Sequence, residues 1–341
     1  MMKVAIYGLG AIGGLIGARL AMAGCEVTAV ARGATLSALQ RHGLRLDDGP
    51  DGGGRPGAAT QPGPSAIPLR AVADACELGV QDLVIIAVKA TQLEAVAAGI
   101  APLIGPETLI MTAMNGVPWW FFDDPSAPHA GLRLPSLDPA GALRRAIPLA
   151  RTIGCVVHLA ATCPEPGRVR RTFGNRLLVG AAVAGPTAGR DRIVARLVQA
   201  GFDAVSSDAI RTDIWYKLWG NMTFNPVSVL TGATADRILG DPQVRGLCLA
   251  AMAEAAAIGE HIGCRIVQTG EERLEVARQL GAFKTSMLQD AESGRALEID
   301  ALVTVAHEIG RAVAVPTPMI DALLGLIRLH GQMHGLYPVG M

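Results

Sequence analysis

Along the N-terminal part of the chain, short apolar runs alternate with longer segments of mixed character. Lys3-Val4-Ala5-Ile6-Tyr7 enters a glycine-rich turn, and Cys25-Glu26-Val27-Thr28-Ala29-Val30-Ala31-Arg32 follows after a helix-length interval. Asp82-Leu83-Val84-Ile85-Ile86-Ala87-Val88 and Thr108-Leu109-Ile110-Met111-Thr112-Ala113-Met114 are nearly continuous apolar runs, as expected of parallel strands buried on both faces. Between the first two runs, an Ala/Leu pattern carrying Arg19, Leu20 and Met22 reads as a helix. Strand-like runs at 155–161 and 176–179, an amphipathic helix over 191–200 and a short strand at 204–207 continue the sheet. From about Asp208 the segments take helical period and none reads clearly as a strand. The pattern predicts an α/β chain, with a doubly wound sheet in a domain spanning 1–208 and an all-helical domain spanning 209–341. A length of 341 residues also exceeds what one hydrophobic core commonly supports.

The turn after the first strand is Gly8-Leu9-Gly10-Ala11-Ile12-Gly13, a G-x-G-x-x-G spacing set between strand and helix, where it carries a mechanism. The first glycine permits the tight turn and the second lets backbone approach a pyrophosphate. The third lets helix pack closely on strand, so that the phosphates meet the helix N-terminus. These six residues are candidate dinucleotide contacts, and the N-terminal domain is expected to be Rossmann-type. In NAD-preferring folds an Asp or Glu at the end of the second strand accepts from the ribose 2′-hydroxyl. Here that end carries Arg32, while Glu26 lies at the opposite end. A guanidinium suits a 2′-phosphate, so NADP(H) is expected over NAD; the alternative is a surface arginine with no ligand.

The third and fourth runs deliver Lys89-Ala90-Thr91-Gln92 and Asn115-Gly116 to the carboxyl edge of the sheet, where open α/β sheets bind ligands. Lys89 and Asn115 read either as groups beside one cofactor crevice or as solvated loop residues. Val117-Pro118-Trp119-Trp120-Phe121-Phe122 comes next and holds two of the four tryptophans and two of the six phenylalanines. It reads equally as the wall of an apolar substrate pocket and as core or interface. Residues 47–68, loaded with Gly and Pro around Gly52-Gly53-Gly54, read as loop or irregular hairpin.

Composition narrows the picture. Thirty basic residues balance 30 acidic ones, which argues against a polyanionic partner such as nucleic acid. Six cysteines show no C-x-x-C pair and fit free thiols in a reducing compartment. Cys155, His158 and Cys163 are near one another in sequence but lack a second ligand pair, so no metal is expected. Lys3, the apolar run and Met22-Ala23-Gly24-Cys25 superficially resemble an exported lipoprotein signal. Arg19 interrupts the run, and a cytoplasmic location is expected. No uncharged apolar segment reaches membrane-spanning length.

The helical half opens with Asp213-Ile214-Trp215-Tyr216-Lys217-Leu218-Trp219-Gly220-Asn221-Met222-Thr223-Phe224-Asn225-Pro226. Lys217, Asn221 and Asn225 recur every four residues, along one drifting stripe of a helix. Asn is a poor interior helix former, so two on one stripe need a reason. With Trp215, Leu218, Trp219, Met222 and Phe224 around them, the stripe is expected to be buried or ligand-facing rather than solvated. Pro226 disfavours helical geometry at Asn225, so the helix should kink or end there. Farther on, 284–292 read as the end of one helix, Gly294 as its breaker, and Leu297-Glu298-Ile299-Asp300-Ala301-Leu302 as the start of the next. Near that helix N-terminus the dipole alone would favour Glu298.

The glycine fingerprint, Arg32, Asn115, the Lys217-x3-Asn221-x3-Asn225 series, and Ser286-Met287-Leu288-Gln289-Asp290 ahead of Glu298-Ile299-Asp300 together resemble the ketopantoate reductase (2-dehydropantoate 2-reductase) family over nearly the whole length. The resemblance implies a Rossmann-type domain for NADPH, a helical domain, and reduction of a 2-keto acid to pantoate for coenzyme A synthesis. It implies Lys217 as the catalytic lysine and Glu298 as its partner carboxylate. Asn115, Asn221, Asn225 and Ser286 would be substrate contacts; Gly8, Leu9, Gly10, Ala11, Ile12, Gly13, Arg32, Lys89 and Asn115 would be cofactor contacts. The expected partner is a small-molecule 2-keto acid and at most a second copy of the chain as a homodimer, with no nucleic acid and no membrane. Hydride arriving at a ketone carbon puts negative charge on oxygen, which an ammonium can stabilise and protonate, the role expected of Lys217. The family commonly has another short segment where this chain has 118–122 and an extended loop, so a bulkier 2-keto acid stands beside ketopantoate as substrate. A nucleotide sensor without turnover is a third reading, but it has no use for Lys217 and Glu298 together.

Overall fold

The structure is a computed structural model in which residues 1–48, 66–185, 187–279 and 281–339 are described. Most of the Gly/Pro stretch expected as a loop, 49–65, lies outside the described residues. By contact the chain forms two compact units, one built from Met1–Met114 and Gly141–Ile210, the other from Asn115–Ala140 and the chain from Arg211 onward.

The first unit is organised on a sheet of ten strands among the described residues. They are β1 (Lys3–Tyr7), β2 (Glu26–Val30), β3 (Leu44–Asp47), β4 (Ala66–Ile67), β5 (Arg70–Val72), β6 (Leu83–Ile86), β7 (Leu109–Thr112), β8 (Thr152–Glu165), β9 (Arg168–Ala181) and β10 (Asp203–Ser206). Their order is β4-β3-β9-β8-β7-β6-β1-β2-β5, with β10 beside β9. Neighbours from β5 through β2, β1, β6 and β7 to β8 are all parallel. Val4, Ala5 and Ile6 of β1 are fully buried, as are Val84, Ile85 and Ile86 of β6, which for β6 is what its nearly continuous apolar run foretold. The chain leaves β1 toward β2 on one side and later recrosses to β6 on the other. The carboxyl ends of β1 and β6 therefore flank a topological switch point, the place where such sheets bind ligands. Helices α1 (Ala11–Met22), α2 (Gly33–His42), α3 (Leu93–Gly99), α4 (Ala142–Ala146) and α5 (Ala188–Gln199) complete this unit.

The antiparallel β8–β9 hairpin is longer than the runs at 155–161 and 176–179 suggest, with 14 residues in each strand. Its outer half lacks an apolar signature because ion pairs and the parallel β3–β9 ladder hold it. Arg168 and Arg170 reach Asp47 at 2.9 and 3.1 Å, and Arg171 and Arg19 reach Asp48 at 2.6 and 2.5 Å. Burial pushes the Asp48 carboxyl up, but hydrogen bonds from Arg19 and Arg171 outweigh it and hold the group below its ordinary value.

In the second unit the described elements are helical: α6 (Ile210–Thr231), α7 (Ala235–Gly240), α8 (Pro242–His261), α9 (Gly270–Gln279), α10 (Ser286–Glu292), a π-helical turn at Asp300–Thr304 leading into α11 (Val305–Ala312), and α12 (Pro318–Met333). Residues Asn115–Ala140 join this unit as turns, an excursion that a linear division at 208/209 lacks. The reason is the aromatic run. Trp119, Trp120, Phe121 and Phe122 are all buried, none more than 2% exposed. Phe121 packs on Trp215 of α6 at 6.4 Å, and the Arg211 guanidinium lies over the Phe121 and Phe122 rings at 4.8 and 5.5 Å. The Trp215 and Trp219 indoles donate to the Ala255 and Met252 carbonyls of α8 at 3.1 and 2.7 Å. Of the two readings open for 117–122, core is the one observed.

Two local expectations change. Of the two outcomes expected at Asn225, a kink or an end, the helix does not end: α6 carries Pro226 inside and runs on to Thr231. Proline removes one intrahelical donor, yet Val227 and Val229 beyond it are buried, and packing of this kind sustains a helix that local propensity would stop. Residues 284–292 are not the tail of a long helix either. Thr285 caps a new one, its hydroxyl accepting from the Leu288 amide at 3.2 Å, so Ser286 is the first residue of α10. Among the described residues no helix is long and apolar enough to cross a membrane, and no group of His, Cys, Asp or Glu is arranged to hold a metal ion.

Candidate functional site

In the first unit the candidate ligand loop joins β1 to α1. Gly8 has φ +98°, and a Cβ there would fall 2.6 Å from Val88 Cγ1, a conformation and a contact that glycine alone tolerates. A Cβ on Gly13 would meet the Gly8 carbonyl oxygen at 2.1 Å, so the third glycine sets how closely α1 sits on the loop. Gly10 differs: it is exposed, nothing lies within 4 Å of its Cβ position, and it caps α1 without a side-chain hydrogen bond. No acidic residue occupies the first turn of α1. Open space over Gly10 and a helix N-terminus without a carboxylate are what an incoming pyrophosphate requires. Leu9 is buried, and Ala11 and Ile12 are half-buried.

Arg32 follows β2, stands exposed and serves as the N-cap residue of α2 without a side-chain cap. Its charge is felt at the buried end of β1: burial pushes the Tyr7 phenol up, and Arg32 pulls the other way. Lys89 is half-buried at the start of a short 3-10 turn after β6, its backbone amide donating to Gln92 Oε1 at 3.4 Å. The Arg32 guanidinium at the end of the second strand suits a phosphorylated dinucleotide; the Asp74 carboxylate also acts on Tyr7, in the opposite sense to Arg32.

The second unit carries the remaining candidates. Lys217 Nζ donates to Asn115 Oδ1 at 2.8 Å, joining residues 102 apart in sequence. Asn115 is held by its neighbours. Gly116 has φ +81°, a Cβ on it would fall 2.1 Å from the Ala301 carbonyl oxygen, and the Val117 amide donates to that oxygen at 3.1 Å. The Asn115 loop therefore rests on the π-turn that begins two residues after Glu298, itself half-buried. Along α6, Asn221 is half-buried and Asn225 only 4% exposed. The buried Asn225 Nδ2 has no acceptor among the described residues. An orphan buried donor costs about 1–3 kcal/mol, a cost that a ligand acceptor would remove. Ser286 stands exposed at the start of α10; its buried neighbour Thr285 shares a hydrogen bond with Ser228 of α6 at 2.6 Å.

Thus Lys217 and Asn115 are brought into direct contact, with Asn221 and Asn225 following Lys217 on α6. The support beneath Asn115 has no local sequence signal. A π-turn has no sequence signature and such turns are rare, although the Asn-Gly pair is a signal for the positive φ found at Gly116.

Comparison with known proteins shows the family. The profile for "Ketopantoate reductase PanE/ApbA" matches residues 4–183, and that for "Ketopantoate reductase PanE/ApbA C terminal" matches residues 209–331. The 2-dehydropantoate 2-reductase of Mesorhizobium japonicum is 44% identical over 339 residues, covering 98% of this chain and 100% of its own. A crystal structure of a candidate ketopantoate reductase from Ralstonia solanacearum MolK2 is 55% identical with a TM-score of 0.91, covering 99% of this chain and 100% of the other. A PanE/ApbA family ketopantoate reductase from Ralstonia eutropha JMP134 superposes with a TM-score of 0.81 at 26% identity, covering 98% and 100%. The chain belongs to the ketopantoate reductase family.

Proposed function

We propose that this oxidoreductase reduces 2-dehydropantoate to pantoate with NADPH, and that Lys217 is the general acid. The observation that carries the reading is the Lys217–Asn115 hydrogen bond at the head of a stripe that ends in the unsatisfied amide of Asn225. Gly8 to Gly13 and the α1 N-terminus would hold the pyrophosphate, Arg32 the 2′-phosphate, and Lys89 and Asn115 further parts of the cofactor. NADPH, when bound, supplies the hydride. The protein's own task is to place the keto oxygen and to manage its charge. Asn115 accepts from the Lys217 ammonium and so helps to fix its direction. An ammonium aimed at the oxygen stabilises the charge developing there and delivers its proton. The carboxamides of Asn221 and Asn225 and the Ser286 hydroxyl fix the carboxylate and hydroxyl ends of the substrate, and Glu298 holds Lys217 or accepts from a substrate hydroxyl.

The aromatic run kept a bulkier 2-keto acid in contention, and its place in the core of the helical unit accounts for it without such a substrate. Following NADPH oxidation with ketopantoate and with a panel of larger 2-keto acids tests the reading. Ketopantoate is expected to give the highest kcat/KM. Turnover confined to the larger acids, or NADPH binding with no turnover of any, would overturn it.

A further inference from the structure

The segment carrying Glu298 is gripped on both sides by the end of the chain. One residue before it, the Leu297 amide donates to the Leu336 carbonyl at 2.9 Å. Two residues after it, Asp300 Oδ1 accepts from the Tyr337 hydroxyl at 2.7 Å and from Thr304 Oγ1 at 2.9 Å. Leu336 and Tyr337 are fixed in turn, because both their amides donate to the Gly331 carbonyl at the end of α12, at 2.7 and 3.1 Å. A Cβ on Gly331 would fall 2.8 Å from the Tyr337 Cβ and 3.4 Å from Ile299 Cδ1, so α12, the tail and the Glu298 segment meet at a point with no room for a side chain. Burial and the Asp300 charge push the Tyr337 phenol up, which leaves its hydroxyl a donor throughout the neutral range.

The same π-turn that Asp300 opens also presents the Ala301 carbonyl to Gly116 and Val117. The C-terminal tail thus supports one end of a bracket and the Asn115 loop rests on the other. A π-turn packs one extra residue into a helical turn and is frequent at functional sites. Here the Asp300–Tyr337 and Asp300–Thr304 bonds hold it in register.

We infer that Tyr337, acting through Asp300, is a positioning residue that fixes the π-turn and thereby the Glu298 carboxylate. This rests on the reading of Glu298 as part of the reacting site. The hydroxyl touches neither substrate nor cofactor in this scheme. Its effect reaches turnover only through where Glu298 stands, and small misplacements of a reacting group are costly.

The test is a double-mutant cycle of Tyr337→Phe and Glu298→Gln, read as kcat, KM for ketopantoate and NADPH Kd. Tyr337→Phe is expected to lower kcat about tenfold while KM and NADPH Kd stay within about twofold. In the Glu298→Gln background the same change should have no further effect on kcat. Asp300→Ala, which removes the acceptor from the other side, should reproduce both results and serves if Tyr337→Phe does not fold. Asp300→Asn, which keeps an acceptor oxygen, should rescue turnover. An impaired Glu298→Gln enzyme in which Tyr337→Phe still costs its full factor, or a Tyr337→Phe enzyme with lowered Tm and unchanged kcat, makes the tail a structural support only. A Glu298→Gln enzyme that turns over like the wild type would instead overturn the reading of Glu298 itself.

Discussion

In the proposed function, the glycine loop of the first unit and the Lys217 stripe of the second would hold charge by opposite means. At Gly8, Gly10 and Gly13 the working parts are backbone, and the side chains matter by being absent: two Cβ positions are blocked and one is open. On α6 the working parts are side chains, and what matters is that one of them, Asn225 Nδ2, is buried without a protein acceptor. A backbone device is carried by six consecutive residues, with Val88, just after β6, closing on Gly8. A side-chain device is set by partners far away in sequence, as Lys217 and Asn115 are, and by a π-turn beneath the Asn115 loop.

The contrast is sharpest when a methyl group is added at a blocked and at an open position of the glycine loop. Gly13→Ala should weaken NADPH about a hundredfold and lower Tm, because its Cβ cannot coexist with the Gly8 carbonyl. Gly10→Ala should leave Tm unchanged and weaken NADPH about tenfold, since the methyl enters space that only the ligand would occupy. Equal loss of stability in both variants would mean that the loop serves the fold alone. Next in size is Arg32→Ala. A charge-assisted hydrogen bond contributes about 1.5–3 kcal/mol, so NADPH affinity should fall about ten- to a hundredfold with NADH affinity little changed. Equal weakening of the two coenzymes would remove the 2′-phosphate from the account.

In the second unit the smaller effect is the more diagnostic. Replacing an orphan buried amide by an apolar side chain of similar size removes a desolvation penalty. Asn225→Leu is therefore expected to be at least as stable as the wild type in thermal unfolding of the unliganded protein, yet to raise KM for the keto acid about tenfold. Loss of stability with unchanged KM would make Asn225 an ordinary core residue.

The same contrast explains what could be read from the chain directly. The parallel strands were legible because burial on both faces demands unbroken apolar runs such as 82–88, and the loop was legible because glycine spacing is a local requirement. The stripe Lys217, Asn221, Asn225 was legible from helical period. The outer half of the β8–β9 hairpin was not, since Arg168, Arg170 and Arg171 are held by Asp47 at the end of β3 and Asp48 just after it. Nor was the allegiance of 115–140 legible: an aromatic run announces that it will be buried but not against what, and here the partners are Trp215 and Arg211 on α6. The continuation of α6 past Pro226 shows tertiary packing outweighing a local stop signal.

The most direct test of the account is a side-by-side measurement of kcat with ketopantoate and of NADPH Kd for the wild type and Lys217→Ala. General acid catalysis by one group is worth about a hundred- to ten-thousandfold, so kcat should fall by that order while NADPH Kd, which the proposed function assigns mainly to Gly8–Gly13 and Arg32, stays within about twofold. A Lys217→Ala enzyme that turns over at the wild-type rate would contradict the assignment of the proton to Lys217.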